Sequence, residues 1–187
     1  MTSTADPRDD LPDHLPAMRA FAISLCGNPA AADDLVQDTI VKAWTNIDKF
    51  QPGTNMRAWL FTILRNTFFS DKRKRKREVP DSDGVHAGRL YEKPAHDGRL
   101  AFTDFRKAFD QLSPEHREVL ILAGASGFSY EDVASMTGVA VGTVKSRVNR
   151  ARARLCELLG LRDGEDPIAG ADGATLAVLG TSGEQAA

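Results

Sequence analysis

The sequence predicts an all-α protein made of two small helical domains joined by a flexible linker. Three observations carry that reading. Apolar residues recur at spacings of three and four along most of the chain, the period of a helix with one buried face. Helix-start and helix-stop signals fall between the periodic stretches: Asn28-Pro29, Ser113-Pro114-Glu115, Ser129 with Asp132, and Gly138. Between the two halves, Glu78–Arg99 holds three glycines and two prolines and loses the period, as a linker does.

Taken in order, residues 1–13 are polar and read as a flexible N-terminus, and residues 14–78 as a three-helix unit. Leu15, Met18, Ala22 and Leu25 mark its first helix, with Phe21 beside the stripe. Gly27-Asn28-Pro29 ends that helix and starts the next, since Asn28 can cap and Pro29 suits the first helical position. The second helix runs from about Ala30 to Ile47. Its apolar stripe is Val36, Ile40, Ala43, Trp44 and Ile47, which leaves Gln37, Asp38 and Lys42 free for a partner. After the loop Phe50–Thr54, a third helix begins near Asn55 and continues into six consecutive cations, Lys72–Arg77. Trp59, Leu60, Ile63, Leu64 and Phe68 form its buried side, and Asn66, Ser70 and Asp71 its polar side.

Residues 79–100 read as the linker, 101–160 as a four-helix unit and 161–187 as an acidic Gly/Ala-rich tail with one apolar patch, Leu176–Leu179. Phe102, Phe105, Phe109 and Leu112 open the second unit. Ser113-Pro114-Glu115 caps a helix whose Val119, Leu120, Leu122 and Ala123 face inward. Phe128–Leu159 is then a helix-turn-helix. Ser129 and Asp132 have capping-box spacing, and Gly138 supplies the positive φ of the reversal. Val144, Val148, Ala151, Leu155 and Leu158 form the buried stripe of the last helix. Its other face carries Thr143, Lys145, Ser146, Arg147, Asn149, Arg150, Arg152 and Arg154, the pattern of a helix that packs on one side and reads DNA on the other.

The net charge of −2 conceals strong segregation. Residues 51–77 hold eight bases against one acid, and residues 144–155 hold five bases and no acid. Two basic patches separated by acidic sequence point to two contacts with a polyanion. A solvated surface helix, or a nuclear-import signal at Lys72–Arg77, is the plainer alternative for each patch taken alone. Cys26 and Cys156 are single and sit in apolar patterns, so they read as small buried side chains. The acidic start lacks the apolar run of a signal peptide, and no stretch reaches the roughly 18–20 apolar residues of a membrane helix, so a cytoplasmic protein is expected. The four histidines are scattered and no phosphate-cradling glycine loop is present, so no catalytic constellation, metal site or cofactor is expected.

Two stretches carry a resemblance. Asp33-Asp34-Leu35-Val36-Gln37-Asp38-Thr39-Ile40-Val41-Lys42-Ala43-Trp44 and Gly138-Val139-Ala140-Val141-Gly142-Thr143-Val144-Lys145-Ser146-Arg147 resemble the two signature segments of the bacterial sigma-70 family, extracytoplasmic-function (ECF, group 4) type, in the same order and separated by a linker. The wording of Phe50–Leu60 resembles its general-stress, EcfG-like subgroup. The resemblance implies a sigma region 2-like unit and a sigma region 4-like unit, and a promoter-specificity subunit that is not an enzyme. Asp34, Leu35, Gln37, Asp38 and Lys42 would dock on the β′ clamp helices of core RNA polymerase. Trp59, Asn66, Asp71, Lys72, Arg73 and Arg75 would serve the −10 element of promoter DNA. Thr143, Lys145, Ser146, Arg147, Asn149 and Arg150 would approach the −35 element. A small anti-sigma protein is the implied regulator, and no membrane partner is implied. Ala140 departs from the family's usual proline, which loosens a preset φ, and the acidic tail is not a family requirement. The competing readings are a free-standing helix-turn-helix regulator and a sigma-mimicking adaptor, whose basic faces should be eroded; a nucleic-acid enzyme lacks the acidic metal cluster it would need.

Overall fold

A computed structural model describes residues 6–78 and 97–161, with backbone alone for Glu78 and residues 97–102. All its regular elements are helical, and the described residues fall into two compact units, 6–78 and 97–161. Most of the stretch read as linker, the acidic tail and the Leu176–Leu179 patch lie outside the described residues.

The first unit packs α1 (Leu11–Cys26), α2 (Pro29–Thr45) and α3 (Met56–Glu78) against one another. The start of the chain is ordered earlier than its polarity suggests. Asp6 accepts the Arg8 N–H at 3.0 Å and opens a 3₁₀ turn, Pro7–Asp10, that leads straight into α1. Leu11 is therefore the core residue of that first turn, and Leu15, expected inside, is exposed. Gly27 ends α1 at φ +68°, and Asn28 accepts the Ala31 N–H to start α2 with Pro29 at its first position.

The buried face of α2 is Ala32, Leu35, Val36, Thr39 and Ala43. This corrects the sequence reading, which put Trp44 inside; Trp44 is 54% exposed. Thr39 can occupy the core because its hydroxyl donates to the Leu35 carbonyl at 2.7 Å, leaving no unmet polar atom. A turn at Gln51–Thr54, with Pro52 before Gly53 at φ +87°, leads to Asn55, whose side chain accepts the Ala58 N–H and starts α3. Leu60, Phe61 and Leu64 fill the centre, and Phe61 stacks on Phe21 with ring centroids 4.9 Å apart. Trp59, Ile63 and Phe68, expected on the buried side, are half-buried.

The second unit holds α4 (Asp97–Asp110), which starts inside the stretch read as linker, then α5 (Pro114–Val119), α6 (Tyr130–Thr137) and α7 (Val141–Leu159). Ser113 caps α5 by accepting the His116 N–H. Leu120–Ala125 continue α5 as a π-helical turn, in which the Ser126 N–H reaches the Ile121 carbonyl at 2.7 Å. This wider turn lets Val119 to Leu122 all face the interior, whereas Ala123 is only half-buried. Arg117 and Glu118, adjacent and opposite in charge, are buried too, with Arg117 reaching Asp110 at 3.9 Å. The capping box at Ser129 and Asp132 is formed in both directions. Gly138 takes φ +70°, and its N–H and that of Val139 both close on the Ala134 carbonyl.

Candidate nucleic-acid interface

α7 buries Val144, Val148, Ala151 and Leu155, and Leu158 is half-buried. One side of the helix is thus committed to the core, and the opposite side is open to solvent. Lys145, Asn149 and Arg150 are exposed there, while Thr143, Ser146 and Arg147 are half-buried at its edge. Ser146 donates to the Thr143 backbone carbonyl at 2.9 Å, and Arg150 donates to the Ser146 hydroxyl at 3.3 Å, so the Ser146 and Arg150 side chains are linked along the helix. Arg154 is drawn off to Glu157 at 2.8 Å, which removes it from the cationic face read from the sequence. Asp132, the nearest acid in sequence before α7, is occupied in the capping box. The face therefore presents the Lys145 and Arg150 cations and the Asn149 amide to solvent, chemistry that suits an anionic, groove-shaped partner.

α3 supplies the second basic surface. Asn66 and residues 70–77 are exposed, and the helix runs unbroken through Lys72–Arg77. At about 100° per residue the six cations wrap around the helix and cannot all follow one strand. Trp59, Asn66 and Arg73 share one line with Ser70 and Arg77. Asp71, Lys72 and Arg75 lie about 140°, 120° and 180° away from Asn66. The structure thus brings Trp59, Asn66 and Arg73 to one face and sends the other three candidates elsewhere. Trp59 is half-buried against Phe50, with ring centroids 5.4 Å apart. Sequence reasoning missed the neighbours of Asn66. Arg65 donates to its Oδ1 at 3.0 Å and lies 5.0 Å from the Phe69 ring centroid.

The third set, on α2, divides. Asp34, Gln37 and Asp38 are exposed along one side, with Val41 at 65% exposure continuing the line. Leu35 is 6% exposed and belongs to the core, so it is not available to a partner as the sequence suggested. Lys42 is not free either, because its Nζ donates to Thr67 Oγ1 on α3 at 3.0 Å. Trp44 is exposed beside the Arg8 guanidinium, 5.3 Å from the ring centroid. Asp33 is bound by Arg19 at 2.7 Å, which holds its carboxyl below the usual carboxylate range. Cys26 and Cys156, expected buried, are half-buried.

Among the described residues no group of three His, Cys, Asp or Glu side chains is placed to hold a metal ion, and no helix is long and apolar enough to cross a membrane.

Comparison with known proteins places both units. Residues 12–78 match Sigma-70 region 2, and residues 102–155 match Sigma-70, region 4. The ECF RNA polymerase sigma factor EcfG of Rhodopseudomonas palustris is 55% identical over 183 residues, covering 98% of this chain and all of that relative. Among solved structures, the sigma factor RpoE of Bartonella quintana, in complex with the anti-sigma factor NepR, is 57% identical with a TM-score of 0.71, covering 81% of this chain and 95% of that one. CnrH, in complex with the cytosolic domain of CnrY, is 28% identical with a TM-score of 0.56, over 81% of this chain and 86% of its own. With regions 2 and 4 in order and a full-length relative of this identity, the chain belongs to the extracytoplasmic-function sigma factors of the sigma-70 family.

Proposed function

We propose that this sigma factor directs core RNA polymerase to promoters through two separate DNA contacts, one on each unit, and is not itself an enzyme. The observation that carries the reading is the solvent-facing side of α7, where Lys145, Asn149 and Arg150 stand opposite a fully buried stripe. Thr143, Lys145, Ser146, Arg147, Asn149 and Arg150 are the −35 readers. The α3 line of Trp59, Asn66 and Arg73 meets the opened −10 strand, and the cations wrapped around the rest of the helix, Lys72 and Arg75 included, meet phosphates. Asp71 lies off that line and is left without a DNA role.

The polymerase docking surface is the exposed α2 line of Asp34, Gln37, Asp38 and Val41, which fits a basic coiled coil such as the β′ clamp helices. The resemblance of Phe50–Leu60 to the general-stress, EcfG-like subgroup supports work in a stress response in the cytoplasm, and likeness to a sigma factor solved with the anti-sigma factor NepR supports control by an anti-sigma protein.

The test is transcription from promoters carrying every single-base change in the −35 element. Replacing Lys145 and Arg147 by Ala should flatten base preference at particular −35 positions by ~1–3 kcal/mol per lost contact, with polymerase binding intact. Equal loss at all positions and of polymerase binding would sink the −35 assignment.

A further inference from the structure

Asn66 is exposed in the middle of α3, on the line assigned to the opened −10 strand, and its amide is not free to turn. Arg65 NH1 donates to Asn66 Oδ1 at 3.0 Å. A guanidinium is a donor only, so the atom facing it must be the amide oxygen. Arg65 is itself held. Its guanidinium carbon lies 5.0 Å from the Phe69 ring centroid, and Phe69 is braced edge-on by Phe68 at 5.1 Å. The chain Phe68, Phe69, Arg65, Asn66 therefore ends in an amide whose NH2 is turned to solvent and whose oxygen lies beside a cation.

We propose that Arg65 is a positioning residue that fixes Asn66 as a hydrogen-bond donor and so biases the −10 contact toward base edges made of acceptors. The chemistry follows from the bases. Adenine is read by asparagine through a donor and an acceptor side by side, N6 with N7. With one lone pair of Oδ1 taken and a guanidinium beside it, the N6 amino group meets a cation where it needs an acceptor. On that same major-groove edge, which an opened base keeps, guanine, with N7 and O6 adjacent, and thymine, with O4, ask only for donors. The same cation strengthens an acceptor-rich edge and weakens a donor edge. The site thus selects against adenine at the base Asn66 meets. This rests on the −10 reading of α3.

The experiment uses the full chain with core polymerase and forked promoter templates. Their single-stranded non-template segment carries each of the four bases at each −10 position. Asn66→Ala finds the position, because preference should flatten there and at no other. Arg65→Met should then shift preference at that same position toward adenine, by about fivefold or more, with the other positions unchanged. Arg65→Gln, uncharged and able to turn its own amide, should shift it in the same direction and covers the case in which the methionine variant does not fold. If Asn66→Ala flattens one position but neither Arg65 variant changes preference there, lowering affinity uniformly instead, Arg65 is a phosphate contact and the proposal fails alone. If Asn66→Ala changes preference nowhere, the −10 role of Asn66 fails and takes the proposal with it.

Discussion

Lys42 Nζ donates a 3.0 Å hydrogen bond to Thr67 Oγ1, and Thr67 is only 3% exposed. The bond ties the helix with the proposed polymerase face to the helix with the basic arm. Thr67 also adjoins Asn66, so the tie lies next to the line proposed to meet the −10 strand. A neutral hydroxyl accepting from an ammonium is worth roughly 1–2 kcal/mol when part-buried. Lys42→Met should therefore lower the Tm of the first unit by several degrees, about 4–8 °C per kcal/mol for a unit of this size. Polymerase affinity should fall no further than the stability loss explains. An unchanged Tm with lost polymerase binding would return Lys42 to the docking set.

Leu35 and Asp38 are three residues apart in one signature segment and have opposite fates. Leu35 is in the core and Asp38 is exposed. Leu35→Ala should cost about 2–5 kcal/mol of folding stability, as cavity-forming core truncations do. Asp38→Lys should leave thermal unfolding unchanged and weaken binding to core polymerase. A stable Leu35→Ala protein that fails to bind polymerase would show that Leu35 docks and does not pack.

Ala140 takes φ −66°, ψ 148° as the residue before α7, which is where proline's fixed φ of about −65° would lie. The backbone thus keeps the conformation that the family's usual proline would preset. Ala140→Pro should therefore be tolerated and should raise stability by about 0.4–1 kcal/mol, through a less flexible unfolded chain. Denaturant unfolding measures it, and a destabilised variant would mean that the strand of backbone from Val139 cannot accept the ring.

Asp33 is held below the usual carboxylate range by its hydrogen bond from Arg19 and by that charge. A group with a depressed folded pKa stabilises the fold above its unfolded pKa, and that contribution disappears as pH falls through the folded value. Arg19 stays charged throughout, so the loss lies wholly on the acid side. Asp33→Asn should flatten the acid limb of the stability profile and lower stability by a small, constant amount from neutral to alkaline pH, where the pair is charged. The effect is small because both side chains are exposed. An identical acid limb in the variant would show the pair to be solvated.

Much of the architecture was legible because the signals were local. Ser129, Asp132 and Gly138 act within one turn of backbone, and the structure forms each as read. The α7 stripe was legible because Val144, Val148, Ala151 and Leu155 are all apolar and in phase. On α2 the phase was hidden. Its true inward line uses Ala32 and Thr39, one small and one polar, so the large side chain of Trp44 pulled the reading round by part of a turn. Leu35 came into the partner set through the family resemblance, which marks a segment and does not say which of its side chains face inward. The wide turn at Leu120–Ala125 and the burial of Arg117 and Glu118 left no mark in the pattern, since they depend on what packs around α5. The Arg65, Asn66 and Phe69 cluster was equally silent. It depends on rotamers, and spacing alone does not say that a cation will take the amide oxygen of its neighbour.

The central claim is that this chain selects promoters only in company with core polymerase, through one surface on each unit. Run-off transcription on a promoter library, with and without core enzyme, tests it most directly. The account predicts discrete transcripts only when both proteins are present, from templates sharing a −35 and a −10 element, with the −35 requirement relaxed by Lys145→Ala and Arg147→Ala. Tight sequence-specific binding by the chain alone, with no core-dependent initiation on any template, would contradict it.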